Sequence, residues 1–129
     1  MSTLTPEQRQ AITFANIDFK DCGVAALMAV TGWPRDKALP LLATCGYDPD
    51  SGTTRGGIEA ALTEGGLEHV QLDPSSWAGD TPATFTMTHE EGLYVLYVHK
   101  HVMGLVDGDL YNGGSSWRMP LDGVTHVLR

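Results

Sequence analysis

Hydrophobic and polar positions along the chain change their period once, near the middle. Up to about residue 66 the apolar residues fall in helical clusters separated by Gly, Pro and Asp. Beyond it they form short continuous or alternating runs. Thr5-Pro-Glu-Gln predicts a helix start: Thr5 is the cap, Pro6 the first helical residue, and Gln8 is spaced to close a capping box. That helix runs to about Phe14, and Asn16 to Asp21 is a polar connection. Asp21 is spaced to cap a second helix, Cys22 to Thr31, which Gly32 ends. Its residues Val24, Ala25, Ala26, Leu27, Met28, Ala29 and Val30 are apolar nearly all round, which predicts a buried helix. A third helix follows Trp33-Pro34, carries Ala38, Leu39, Leu41, Leu42 and Cys45, and stops at Gly46. Pro40 is expected to bend or shorten it. A fourth, short helix begins near Thr53 and ends at Gly65.

In the second half, Leu67 to Leu72 predicts a strand, and Pro74 to Gly79 a loop. Pro82 to Glu91 predicts a small helix. Leu93-Tyr-Val-Leu-Tyr-Val-His and His101-Val-Met-Gly-Leu-Val are the strongest strand signals. Asp107-Gly108 is the usual chemistry of a two-residue hairpin turn, and the chain returns as Asp109-Leu-Tyr-Asn. A last strand runs from Val124 to Leu128. Helices first and antiparallel strands afterwards make an α+β layout in one domain, residues 1–129.

Composition narrows the function classes. Sixteen acidic residues against eight basic give a net charge of -8, and the basic residues are scattered. Phosphate-backbone binding needs clustered Lys and Arg, so nucleic acid is not the expected partner. No apolar run approaches the roughly 20 residues that span a bilayer, which argues against a membrane protein. Met1-Ser-Thr-Leu-Thr-Pro-Glu lacks a charged leader followed by an apolar stretch, so a cytoplasmic location is expected. Two cysteines are too few for a disulfide scaffold or a four-thiolate zinc site, and neither a metal nor a cofactor is expected. Fifteen glycines, mostly in the second half, fit tight turns between short strands.

The two cysteines differ in setting. Cys22 heads the buried helix, where unpaired backbone N–H groups and the helix dipole lower a thiol pKa from its free value of about 8.5. The same N–H groups can receive an oxyanion, and Gly23 leaves room for a substrate carbonyl. The competing reading is a small buried hydrophobe, the common state of a free cysteine and the one expected for Cys45. A thiolate nucleophile needs an imidazole and a group to orient it. His69, His89 and His126 are expected as strand or turn residues, whereas His101 opens the strand leading to Asp107-Gly108. Asn112 returns beside the early part of that strand and could hold the ring by accepting from its N–H.

Asp21-Cys-Gly-Val-Ala-Ala-Leu-Met-Ala-Val-Thr-Gly resembles the active-site helix of papain-like cysteine peptidases, especially the bacteriocin-processing (double-glycine leader) branch. His101-Val-Met-Gly-Leu-Val-Asp-Gly-Asp-Leu-Tyr-Asn resembles the second half of the same site. Short stand-alone papain-like domains of bacteriophage genomes carry similar runs. The resemblance covers Asn16 to Asn112 and implies helices carrying a nucleophile, packed on an antiparallel sheet. It implies Cys22 as nucleophile, His101 as general base and Asn112 as the orienting residue. Asn16 matches the position of an oxyanion-hole Gln. The sequence departs from the pattern at Asn16, shorter than Gln, and at Ala25, where phage-type domains carry Arg. It departs also at Lys100, where Gly is frequent, and at Asn112-Gly-Gly. A peptide or isopeptide bond is the implied substrate, and transglutamination or amide hydrolysis would use the same triad. If the chain is phage-encoded, it would act in the host cytoplasm.

Several alternatives stand beside this reading. His99 and His101 with Cys22 or Cys45 would make a zinc site if both histidines shared a strand face. Asp107 could orient His101 in place of Asn112, although a hairpin turn claims it. Trp77 or Trp117 would line a cleft or pack the core. The acidic excess, including Asp48, Asp50, Glu90 and Glu91, is a solvated surface or a lure for a basic peptide. A papain-like domain that is catalytically idle and acts by binding a partner, as a host-takeover factor would, is the competing function class.

Overall fold

The structure is a computed structural model that describes residues 6, 22–45, 55–99, 101–111 and 118–128. Asn16, Asp21 and Asn112, and all of the first predicted helix except Pro6, lie outside the described residues. Four α-helices are described: α1 (Cys22–Thr31), α2 (Arg35–Thr44), α3 (Arg55–Glu64) and α4 (Pro82–Thr88). Five strands are described: β1 (Glu68–Gln71), β2 (Leu93–Val98), β3 (His101–Val106), β4 (Asp109–Tyr111) and β5 (Gly123–Leu128). They form one antiparallel sheet in the order β1-β5-β2-β3-β4. The fold is α+β, with α1 to α3 ahead of the sheet in the chain and α4 inserted between β1 and β2. No helix among the described residues is long and apolar enough to cross a membrane.

Every residue of α1 is buried, as its all-round apolar sequence requires. Its end is built as expected: Gly32, at φ 77, donates its N–H to the Met28 carbonyl. Thr31 Oγ1 donates to the Leu27 carbonyl and accepts from the Trp33 N–H, which accounts for a buried hydroxyl. Pro40 lies inside α2 without ending it, contrary to the expected shortening. It stands on the exposed side, where water can take the carbonyl that loses its helical donor. α4 stops at Thr88, three residues short of the expected end. His89 Nδ1 sits 3.0 Å from the Phe85 carbonyl and caps the helix there. The Pro74 loop contains a single 3-10 turn, Pro74–Ser76, started by Asp73 Oδ1 accepting from the Ser75 N–H. That bond keeps the Asp73 carboxyl below its ordinary pKa.

β2 is the central strand and is buried along its whole length. Strand alternation divides the core into two layers. Leu93, Val95, Tyr97, Val102, Val106 and Val127 pack with α1, α2 and α3 on one face. Tyr94, Leu96, Val98, Met103, Leu105 and Val124 pack around Phe85 of α4 on the other. Gly104 lets α1 approach the first face. A methyl group there would stand 2.8 Å from Ala29 Cβ and 3.2 Å from the Ala26 carbonyl oxygen. The hairpin between β3 and β4 turns through Asp107 (φ 47) and Gly108 (φ 88), as Asp-Gly predicts.

Candidate functional site

The helices settle which end of the sheet Cys22 faces. α1 leads through Gly32 into Trp33, whose ring covers Gly65 at the end of α3. Three residues later β1 begins at Glu68, which pairs with Leu128. The adjacent Val127 pairs with Leu93, and Leu93 pairs with Val106. The last turn of α1 therefore lies toward the Leu93 and Val106 end of the sheet. Its first turn, with Cys22, lies toward the opposite end, where β2 finishes and His101 opens β3. Ala26, one turn beyond Cys22, rests on Gly104, two residues beyond Val102. Cys22 belongs to the same apolar cluster as Tyr97 and Val102 and is 7% exposed.

The structure thus brings Cys22 and His101 to one end of the sheet, but strand parity separates their faces. Val102 and Val106 pack on the α1 side, Met103 and Leu105 on the α4 side. His101, half-buried, carries the parity of Met103 and pairs with Val98 of the α4 layer. It is the first residue of its strand, at the rim where the ladder ends. Asn112 follows Tyr111, which pairs with Gly104. Asn112 and Asn16 themselves lie outside the described residues.

Asp107 does not take the orienting role. Its carboxylate accepts from the Gly92 N–H at 3.0 Å and its own N–H donates to the Gly92 carbonyl at 2.9 Å. It stands at the end of β3 away from His101. The zinc alternative loses its premise too. His99 is an exposed turn residue after β2, so strand alternation does not set it beside His101. Among the described residues no group of three or more His, Cys, Asp or Glu converges on a metal position. Cys22 and Cys45 form no disulfide. Cys45 closes α2 half-buried, and its Sγ lies 3.8 Å from Thr44 Oγ1.

Three residues that the sequence did not single out stand at the Cys22 end. Tyr97 is buried in the α1 layer and its hydroxyl lies 3.0 Å from Oγ1 of Thr125, itself fully buried. Burial is the main cause that drives the Tyr97 pKa above the tyrosine range, so the ring stays neutral. Arg55, the first residue of α3, lies over that ring at 5.1 Å and donates from Nη2 to the Asp122 carbonyl at 2.8 Å. A lone Thr on the buried side of β5 was the available signal, since a buried hydroxyl requires a partner.

The remaining histidines serve structure. His69 Nδ1 lies 3.2 Å from the Leu67 carbonyl, and its Nε2 lies 3.8 Å from Glu59. His89 stacks on Phe85 with ring centroids 3.7 Å apart, and His126 stacks on Tyr94 at 4.5 Å. Trp77 packs on the edge of the α4 layer. Trp117, Asp48 and Asp50 lie outside the described residues. Comparison with known proteins found no matching family model, no matching curated protein and no matching solved structure.

Proposed function

We propose that the protein is a papain-like cysteine hydrolase acting on a peptide or isopeptide bond through Cys22. One observation carries the reading: Cys22 opens a fully buried helix whose first turn lies at the end of the sheet where His101 begins β3. A thiol there has the helix N–H groups and dipole to stabilise both its thiolate and an oxyanion. In the proposed reaction His101 takes the Cys22 proton as Sγ attacks the substrate carbonyl carbon. The tetrahedral oxyanion rests on the Cys22 N–H, with Asn16 as a second donor. Its collapse leaves a thioester and expels the amine, which receives the proton from His101. Water, deprotonated by His101, then attacks the thioester, releasing the acid and restoring the thiol. Asn112 holds the imidazole. A lysine amine in place of water would turn the same cycle to transamidation.

The parity of His101 favours a second reading, in which the domain keeps the scaffold and acts by occupying a partner protein. Thiol alkylation separates the two. Exposure alone makes the half-buried Cys45 react faster than the 7% exposed Cys22. The catalytic reading reverses that order with iodoacetamide at pH 7, and His101→Ala abolishes the reversal. Slow labelling of Cys22 in the wild type sinks the hydrolase and leaves the binder.

A further inference from the structure

Arg55 is the group at this end of the molecule that the proposed reaction leaves unused. Gly123, Tyr97 and Val102 form one row across β5, β2 and β3, and His101 adjoins the last of them. The guanidinium of Arg55 rests on the first two, against Gly123 and over the Tyr97 ring. With neighbouring strands about 4.8 Å apart, two strand spacings put it about 10 Å from β3. α1 lies across the same face, and Cys22 is at its near end.

The guanidinium is held in a fixed direction. Among the described residues a hydrogen bond to the Asp122 carbonyl and the Tyr97 ring orient it. Arg55 makes no ion pair with a carboxylate among the described residues. The acidic residue one turn further along α3, Glu59, is taken by Gln71 Nε2 at 2.7 Å and by His69. Arginine has five N–H donors in a planar fork that matches a carboxylate. In a chain with twice as many acidic as basic residues, such a cation, with no carboxylate paired to it among the described residues, is a preorganised anion receptor.

We infer that Arg55 determines specificity at the Cys22 site by receiving a carboxylate of the substrate on the β5 side of the thiol. The assignment rests on the hydrolase reading, and its test is built to fail separately from that reading. Iodoacetamide and iodoacetate form the same bond: the thiolate Sγ attacks the methylene carbon, and iodide leaves with the bonding pair. They differ in one negative charge. Labelling of each cysteine is followed by mass spectrometry. The iodoacetate-to-iodoacetamide rate ratio at Cys22 is expected to exceed that at Cys45 by about threefold to fivefold, the scale of a unit-charge interaction over ~10 Å at the edge of solvent. Arg55→Gln lowers the Cys22 ratio by that factor, and Arg55→Lys keeps most of it. Raising salt lowers the wild-type ratio at Cys22, a readout that needs no variant. Slow labelling of Cys22 by both reagents defeats the hydrolase reading. Fast labelling of Cys22 with a ratio that Arg55→Gln leaves unchanged defeats only the role of Arg55. The source of the carboxylate follows from protection against iodoacetamide. Protection by acetylglutamate amide indicates an acidic side chain, and protection by acetylglycylglycine a chain terminus. Protection by neither overturns the assignment.

Discussion

The two faces of the sheet are built on different chemistry, and the contrast shows where to look for a reaction. On the α1 face small residues meet closely: Gly104 against Ala26 and Ala29, with every residue of α1 buried. Tyr97, Thr125 and Arg55 on this face are bonded to one another or to backbone in fixed directions. The α4 face is an aromatic stack, Phe85 on His89 and Tyr94 on His126, covered by a seven-residue helix. That cover is partial, for Val70 and Leu128 on the strands remain exposed. The face richer in histidines is therefore the one whose rings are engaged in packing. Titratable residues mark chemistry only where a rigid frame aims them.

The largest expected effect breaks the α4 face alone. Phe85 is fully buried and centres that layer, so Phe85→Ala should destabilise by about 3–5 kcal/mol in urea melts. The Cys22 to Cys45 labelling ratio should stay at its wild-type value in the folded variant, because α1 rests on the other face. A lost ratio at full folding would show the two faces to be one mechanical unit. Gly104→Val is the counterpart on the α1 face. A side chain there meets Ala29 Cβ and the Ala26 carbonyl, so α1 must lift, at a cost of about 1–3 kcal/mol. This smaller destabilisation should nonetheless depress Cys22 labelling more than Phe85→Ala does, since it moves the helix that Cys22 heads. Equal labelling in the two variants would remove the distinction between the faces.

Much of this division was legible in the chain. The all-round apolar run from Val24 to Val30 announced a buried helix, Asp107-Gly108 announced its turn, and the switch to strand periods placed the sheet after the helices. What the chain hid was which face each histidine joins. His99 reads as the end of a strand, yet β2 stops at Val98 and His99 is an exposed turn residue. One residue of register reverses a side chain's face, so no pattern at His101 itself could decide its parity. Arg55 was hidden for a different reason. Its partners, Tyr97 and Asp122, are distant in sequence and meet it only through the β2–β5 pairing, which composition and period do not encode.

The smallest expected effect tests whether the histidines of the α4 face are packing groups. Burial, and secondarily the charge of His89, lowers the pKa of His126 below the ordinary value of 6.5. In the unfolded chain the ring returns to that value. Between the two, the unfolded state binds more protons than the folded state, so stability declines as pH falls through 6.5 and is fully present above it. Water screens the half-exposed ring, which keeps the change modest. Thermal melts from pH 7.5 to 5.5 should show a steeper loss for the wild type than for His126→Phe, which keeps a ring on Tyr94 but cannot take a proton. Parallel curves would mean that His126 reaches solvent freely in the folded state. The stack would then offer an accessible imidazole, and the α4 face would regain its claim as a place for proton transfer.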